Sequence, residues 1–187
     1  MLENVITSPF RVSYPQVFRS KHNDLNGKDE YSVVALFPKG ADLSVLQKAA
    51  NDAIVDKWGA DKAKWPKPLR SPFRKHEEKE KDGKLPEGME PGGIFISLRS
   101  IQRPGLVDGD RQPVIDETGF YAGCYARAQV RAYAYDMKGN KGVAFGLQNL
   151  QKMADGDPLS GRQKAEDAFE PVAGVAADAD AGDPFGA

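Results

Sequence analysis

Hydrophobic and polar positions alternate most cleanly between Phe120 and Asp136, F-Y-A-G-C-Y-A-R-A-Q-V-R-A-Y-A-Y-D. The even positions run Phe120, Ala122, Cys124, Ala126, Ala128, Val130, Ala132 and Ala134, without a polar side chain among them. The odd positions are Tyr121, Gly123, Tyr125, Arg127, Gln129, Arg131, Tyr133 and Tyr135. A period of two predicts a β-strand with one face buried and one presented, since a helix would scatter both sets around its circumference. Alanine is a poor strand former, so five alanines on the inner face imply a cramped interior such as that of a small closed barrel. At about 3.3 Å per residue the run would reach roughly 50 Å, too long to stay straight, and Gly123 is the expected bending point.

Shorter elements flank it. Phe10 to Phe18 reads as a first strand, with Pro15 placing it at an edge or marking a bulge. Polar residues from Ser20 to Glu30, with a turn at Asn26-Gly27, lead to a second strand at Tyr31–Phe37, a hairpin pattern. The period then changes. Leu43, Leu46, Ala50, Ala53, Ile54 and Lys57 fall on one helical stripe within Ala41–Trp58, with Asp42 as the expected N-cap and Gly59 as the residue after the last turn. Further strands are expected at Ile94–Ile101 and Val143–Leu150, a loop over Pro104–Asp116, and a glycine-rich turn over Met137–Gly142. The chain therefore reads as mainly β, a five-stranded OB-type barrel with one inserted helix, a long basic loop and a disordered acidic C-terminal tail. The expected boundaries are residues 1–172 for the barrel domain and 173–187 for the tail.

Length supports one domain with a real core: 187 residues, 40% of them hydrophobic and 28% charged. No apolar run approaches a membrane span, and the N-terminus lacks the blocks of a signal peptide. With Cys124 as its single cysteine the chain cannot form an internal disulfide, which points to a reducing cytoplasm. The net charge of −1 hides an asymmetry. Residues 165–187 hold six acids and no base, which leaves 26 bases against 21 acids in residues 1–164. A basic body with an acidic tail is the balance expected of a nucleic-acid binder carrying its own competitor, and a solubilising tail gives the same composition.

The basic residues concentrate in 57–84, where ten bases meet five acids and Trp58, Trp65 and Phe73 are interleaved. Prolines 66, 68 and 72 prevent a continuous helix there. Aromatic rings stack bases and cations neutralise phosphates. The candidate contact residues are therefore Tyr121, Tyr125, Arg127, Arg131, Tyr133 and Tyr135 on the strand. The loop adds Lys64, Trp65, Lys67, Arg70, Phe73, Arg74 and Lys75. Trp58, at a helix end, reads instead as an anchor. A solvated sheet face and a solvated loop are the plainer alternatives.

Catalytic patterns are missing. His22 and His76 lie in polar stretches and read as surface histidines. There is no C-x-x-C, H-E-x-x-H, phosphate-loop or G-x-S-x-G spacing. Asp108, Asp110, Asp116 and Glu117 in one loop and Asp155 with Asp157 in another are the carboxylates from which a metal-dependent nuclease could be built, although polar turns use the same residues. A protein-interaction module without nucleic acid is a third class. No cofactor, metal site or catalytic residue is assigned, and the expectation is a binder, not an enzyme.

Several blocks carry a resemblance. They are R-V-S-Y-P-Q-V-F (11–18), Y-S-V-V-A-L-F-P-K (31–39), Y-A-G-C-Y-A-R-A (121–128), G-N-K-G-V-A-F-G-L (139–147) and A-E-D-A-F (165–169). In this order and spacing the chain resembles tailed-phage single-stranded-DNA-binding proteins with an OB fold. The resemblance implies sequence-tolerant binding of single strands in phage DNA replication or recombination, without catalysis, in the host bacterial cytoplasm. The tail also resembles those of bacterial single-strand binders, which end in acids followed by Pro-Phe and recruit replication or repair enzymes. Here Asp183, Pro184 and Phe185 are the candidate partner-docking residues, but Gly186 and Ala187 follow them, so a pocket reading a terminal Phe carboxylate would find none.

Overall fold

A computed structural model describes residues 2–159 and 168–173 of the chain, in which the strands close into a ring. The elements in order are β1 (Asn4–Ile6), β2 (Phe10–Asn23), β3 (Lys28–Phe37), α1 (Ser44–Trp58), β4 (Arg74–Lys75), β5 (Ile94–Ser100), β6 (Gly105–Val107), β7 (Tyr125–Met137) and β8 (Asn140–Ala154). β2 pairs with β3, β3 with β5, β5 with β8, β8 with β7, and β7 back with β2, so five strands form the expected barrel. Only the β5–β8 contact within this ring is parallel. β1, β4 and β6 are short additions on β7, β5 and β8.

Alternation explains the core. Val33, Ala35 and Phe37 of β3, Ile96 and Leu98 of β5, and Phe145 and Leu147 of β8 all point inward and are buried. So do Ala126, Ala128, Val130 and Ala132 of β7, as their spacing predicts. Their small size also has a second cause. α1 packs Leu46, Ala50 and Ala53 into the same cluster, and alanines on β7 allow the helix to approach it closely. Burial of each large side chain such as Phe10, Phe37 or Phe145 contributes about 1.5–3 kcal/mol.

Several boundaries differ from the sequence expectations. The long strand starts at Tyr125, not Phe120, because Gly123 at φ 113 breaks the extended backbone. Phe120 and Cys124 stay buried all the same, at 2% and 0% exposure. The helix starts at Ser44, with Leu43 in the cap position; Asp42 accepts from the Ser44 N–H without capping the helix itself. Gly59 ends it at φ 84, as expected. The bulge expected at Pro15 is present: pairing jumps from Ser13↔Val34 to Gln16↔Ser32, with Tyr14 at φ 44. β7 and β8 join through Lys138 and Gly139, both at positive φ, which matches the twist of a tight hairpin. The tail residues from 174 onward, Asp183, Pro184 and Phe185 included, and most of the 165–169 block lie outside the described residues.

No helix among the described residues is long and apolar enough to cross a membrane.

Candidate nucleic-acid interface

Strand registers decide which outward side chains become neighbours. One outward row runs Gln16 on β2, Ser32 on β3, Arg99 on β5, Gly146 on β8, Arg131 on β7 and Asn4 on β1, each paired with the next. Between the amide side chains at its ends, Gln16 and Asn4, its members are small (Ser32, Gly146) or cationic (Arg99, Arg131). Ser97 and Val34, paired with each other, extend the floor by one step along β5 and β3. Tyr133 stands across β8 beside Gly146; a Cβ built on Gly146 would lie 3.8 Å from Tyr133 Cε1. Tyr133 is 45% exposed. Partial burial, then the Glu30 carboxylate, raise its phenol above the ordinary value while Arg99 opposes, so the ring is neutral at physiological pH.

The next aromatic on the strand connects this row to the basic loop. Tyr135 pairs with Gly142, and a Cβ there would lie 2.7 Å from Tyr135 Oη and 2.6 Å from the Arg70 carbonyl. Glycine is required at 142 because two neighbours converge on it. Arg70 is held to β8 by its N–H to the Lys141 carbonyl (2.9 Å) and by the Val143 N–H to its own carbonyl (3.1 Å). Farther along the loop, Arg74 and Lys75 pair with Phe95 and Ile94 of β5. The guanidinium of Arg74 lies 5.1 Å from the Phe95 ring centroid and bonds Glu78. The strand set and the loop set thus meet at Arg70, beside Tyr135 and Gly142, while Arg74 and Lys75 lie farther along the barrel, opposite Phe95 and Ile94.

Cation pairing along this row is weak. Arg131 donates to the neutral Asn4 Oδ1 at 3.0 Å, and Arg99 reaches Glu30 only at 3.8 Å. The Glu30 carboxylate already accepts from the Asn23 and Asn26 side-chain amides, so neither guanidinium on this row is held by a close ion pair and both are available for phosphate.

Other candidates are placed elsewhere. Tyr121 Oη lies 3.0 Å from Asp155 Oδ1 and 3.1 Å from the Gly156 carbonyl, and accepts from the Gly156 N–H. Tyr125 faces Arg11, whose guanidinium sits 5.9 Å from its ring centroid and donates to the Asp157 and Gly123 carbonyls. These groups hold residues 155–159 against the barrel, with the Leu159 N–H bonded to the Ala122 carbonyl. Arg127 bonds Gln151, which in turn reaches the Asp108 carbonyl. Phe73 packs edge-on against Phe145, joining the rim of the core. Trp65 donates its indole N–H to the Gly59 carbonyl at 2.8 Å, which folds the loop onto the helix end near Lys64 and Lys67.

His76 is corrected outright. It is 1% exposed, not on the surface: its Nδ1 accepts from the Glu90 N–H, its ring stacks on Phe95, and Gly93 gives it room. The carboxylate loop organises turns. Asp108 Oδ1 accepts from the N–H groups of Asp110 and Gln112, Asp116 Oδ1 from that of Thr118, and Glu117 pairs with Arg19. Among the described residues no three His, Cys, Asp or Glu side chains gather as a metal site.

Arg99 was the functional candidate missing from the sequence list. Its signal was present, since it lies opposite in phase to Ile96 and Leu98, but only the register puts it between Ser32 and Gly146.

The family model described as the ssDNA-binding protein of Enterobacter phage Enc34 matches residues 3–182. The chain belongs to this family. Among solved structures, the Enc34 single-stranded DNA-binding protein in complex with ssDNA superimposes with a TM-score of 0.64 at 20% identity, over 83% of this chain and 88% of that one. A single-stranded DNA binding protein of bacteriophage T7, gp2.5, gives a TM-score of 0.56 at 10% identity, over 87% and 97%. In sequence, putative protein p50 of Acyrthosiphon pisum secondary endosymbiont phage 1 is 28% identical over 160 residues, 81% of this chain and 83% of that protein. Membership in the Enc34 family and the barrel agree with the resemblance noted in the sequence.

Proposed function

We propose that this member of the Enc34 family is a sequence-tolerant binder of single-stranded DNA that acts in phage DNA replication or recombination. The observation that carries the reading is the outward row itself. Arg99 and Arg131 flank a glycine over which the half-exposed Tyr133 presents a ring face, on the barrel surface. Bases stack on Tyr133 and Tyr135, with each stacked base contributing about 1–3 kcal/mol. Phosphates are met by Arg99 and Arg131, with Arg70 along the loop side. Small floor residues, Ser32, Ser97 and Gly146, let the bases approach without reading their edges. No catalytic step enters this reading. The host cytoplasm is its setting.

The acidic tail completes the proposal. The last barrel segment, 155–159, passes Gly123 and ends with Leu159 beside Gly88 and Leu36, and Leu36 is two outward positions along β3 from Ser32. The tail competes with DNA for the cationic row and docks replication or recombination proteins when DNA displaces it. Removing residues 174–187 tightens binding on this account; unchanged affinity would remove the competition from it.

Anisotropy titration of labelled oligo-dT and of a matched duplex at two salt concentrations tests the function. The expected result is a preference for the single strand and a logarithmic salt slope of about −0.7 per phosphate neutralised. Equal affinity for duplex, or no binding, would contradict it. Incubation of labelled DNA with Mg²⁺ or Mn²⁺ should leave it intact.

A further inference from the structure

Tyr14 is the most conspicuous residue that the interface so far leaves out. It is 73% exposed and holds φ 44, a conformation costly for a bulky side chain. Two residues of β2, Tyr14 and Pro15, stand opposite Val33 alone, which is a β-bulge. Pro15 has no N–H, so the ladder loses no donor at that residue. Among the described residues nothing compensates the strain at the side chain, since Tyr14 makes no side-chain hydrogen bond and no ring or cation contact with any of them. A tyrosine strained and left in solvent does not serve the core.

Its position supplies the reason. The bulge lies between the outward pairs Ser13↔Val34 and Gln16↔Ser32, and those β3 residues continue to Ser97 and Arg99 on β5. Tyr14 therefore borders the same floor as Tyr133, from the opposite side. Neighbouring strands are about 4.8 Å apart, so Tyr14 is roughly 10 Å from the Arg99 strand. An OB fold engages about 4–16 nucleotides, enough for one strand to cross from Tyr133 past Arg99 to Tyr14. Bulges re-aim side chains beside functional sites.

We infer that Tyr14 is a second base-stacking platform, aimed by the bulge onto the far border of the single-strand path. This rests on the DNA-binding reading above and extends it to a residue on β2.

The test uses the full chain with Tyr14→Gly and Tyr14→Phe. Glycine adopts positive φ freely, so Tyr14→Gly keeps or raises the melting temperature. Its affinity for labelled oligo-dT should fall about five- to a hundredfold with the salt slope unchanged, because an uncharged ring is lost. Tyr14→Phe should bind as the wild type does. In parallel, an oligonucleotide carrying 5-iododeoxyuridine is photo-crosslinked to the wild-type protein and the peptides are mapped, with modification expected at Tyr14. Affinity of Tyr14→Gly within twofold of wild type, or crosslinks that avoid Tyr14, would overturn the inference while leaving DNA binding intact. A strained exposed tyrosine would then be read as a protein contact. A wild-type chain that fails to bind oligo-dT overturns both.

Discussion

Two outward rows girdle the same barrel four residues apart on β3, about 13 Å, and they meet different fates. The first runs Tyr125, Arg11, Leu36, Phe95 and Arg74 across β7, β2, β3, β5 and β4. Its middle is covered: Leu36 and Phe95 are each 2% exposed, beneath Leu159, Gly88, Arg74 and Lys79, while Tyr125 at its end is 40% exposed but engaged by the Arg11 guanidinium. The second, Ser32, Arg99, Gly146 and Arg131, carries no such lid among the described residues. The first row contains Arg11 and Tyr125, and the second contains Arg99 and Arg131 with Tyr133 alongside. Residue type alone therefore does not mark a binding face. What marks it is that the chain has not already used those groups on itself.

The comparison breaks most sharply at Gly123. A Cβ there would lie 2.1 Å from the Asp157 carbonyl, at φ 113, so Gly123→Ala should displace residues 155–159 from the covered row. We expect a loss of about 3 kcal/mol in urea unfolding, with the m-value unchanged and the folded fraction still binding oligo-dT. On the open row, Arg99→Ala and Arg131→Ala should each lower the salt slope of binding by about 0.7, with the urea midpoint little changed. An unaltered slope would remove that guanidinium from the interface.

Tyr121→Phe acts on the covered side only. It deletes the hydroxyl shared by Asp155 and Gly156, and should cost about 1 kcal/mol of stability without weakening DNA binding. The smallest effect concerns pH. The Lys152 ammonium, then the Tyr121 hydroxyl, hold the Asp155 carboxyl below its ordinary value. A depressed carboxyl contributes stability that is fully present above its unfolded pKa of about 3.9 and is lost as the pH falls through the lower folded value. Amide exchange in residues 155–159 should therefore accelerate in that acid window, and Asp155→Asn should abolish the dependence. Exchange insensitive to that substitution would count against the contact.

Much of this fold could be read from the chain because each barrel strand has one face in the core. Period two therefore survives in 31–37, 94–100 and 125–134. β1, β4 and β6 were not legible, since two or three residues hold strand geometry only because β7, β5 and β8 offer them an edge. The outward direction of Arg131, Tyr133 and Tyr135 was legible as well. Their neighbours were not: Ser32, Arg99, Gly146 and Arg131 come from four strands and meet only through register. His76 shows the same limit. Its surroundings look polar in sequence, yet backbone from Glu90 and Gly93 builds a pocket around it.

The most direct test sets Tyr133→Ala beside Tyr125→Ala in oligo-dT binding isotherms at one low salt concentration. The open-row account predicts about a tenfold or greater loss for Tyr133→Ala and a change within twofold for Tyr125→Ala. Equal losses, or a loss confined to Tyr125→Ala, would contradict it.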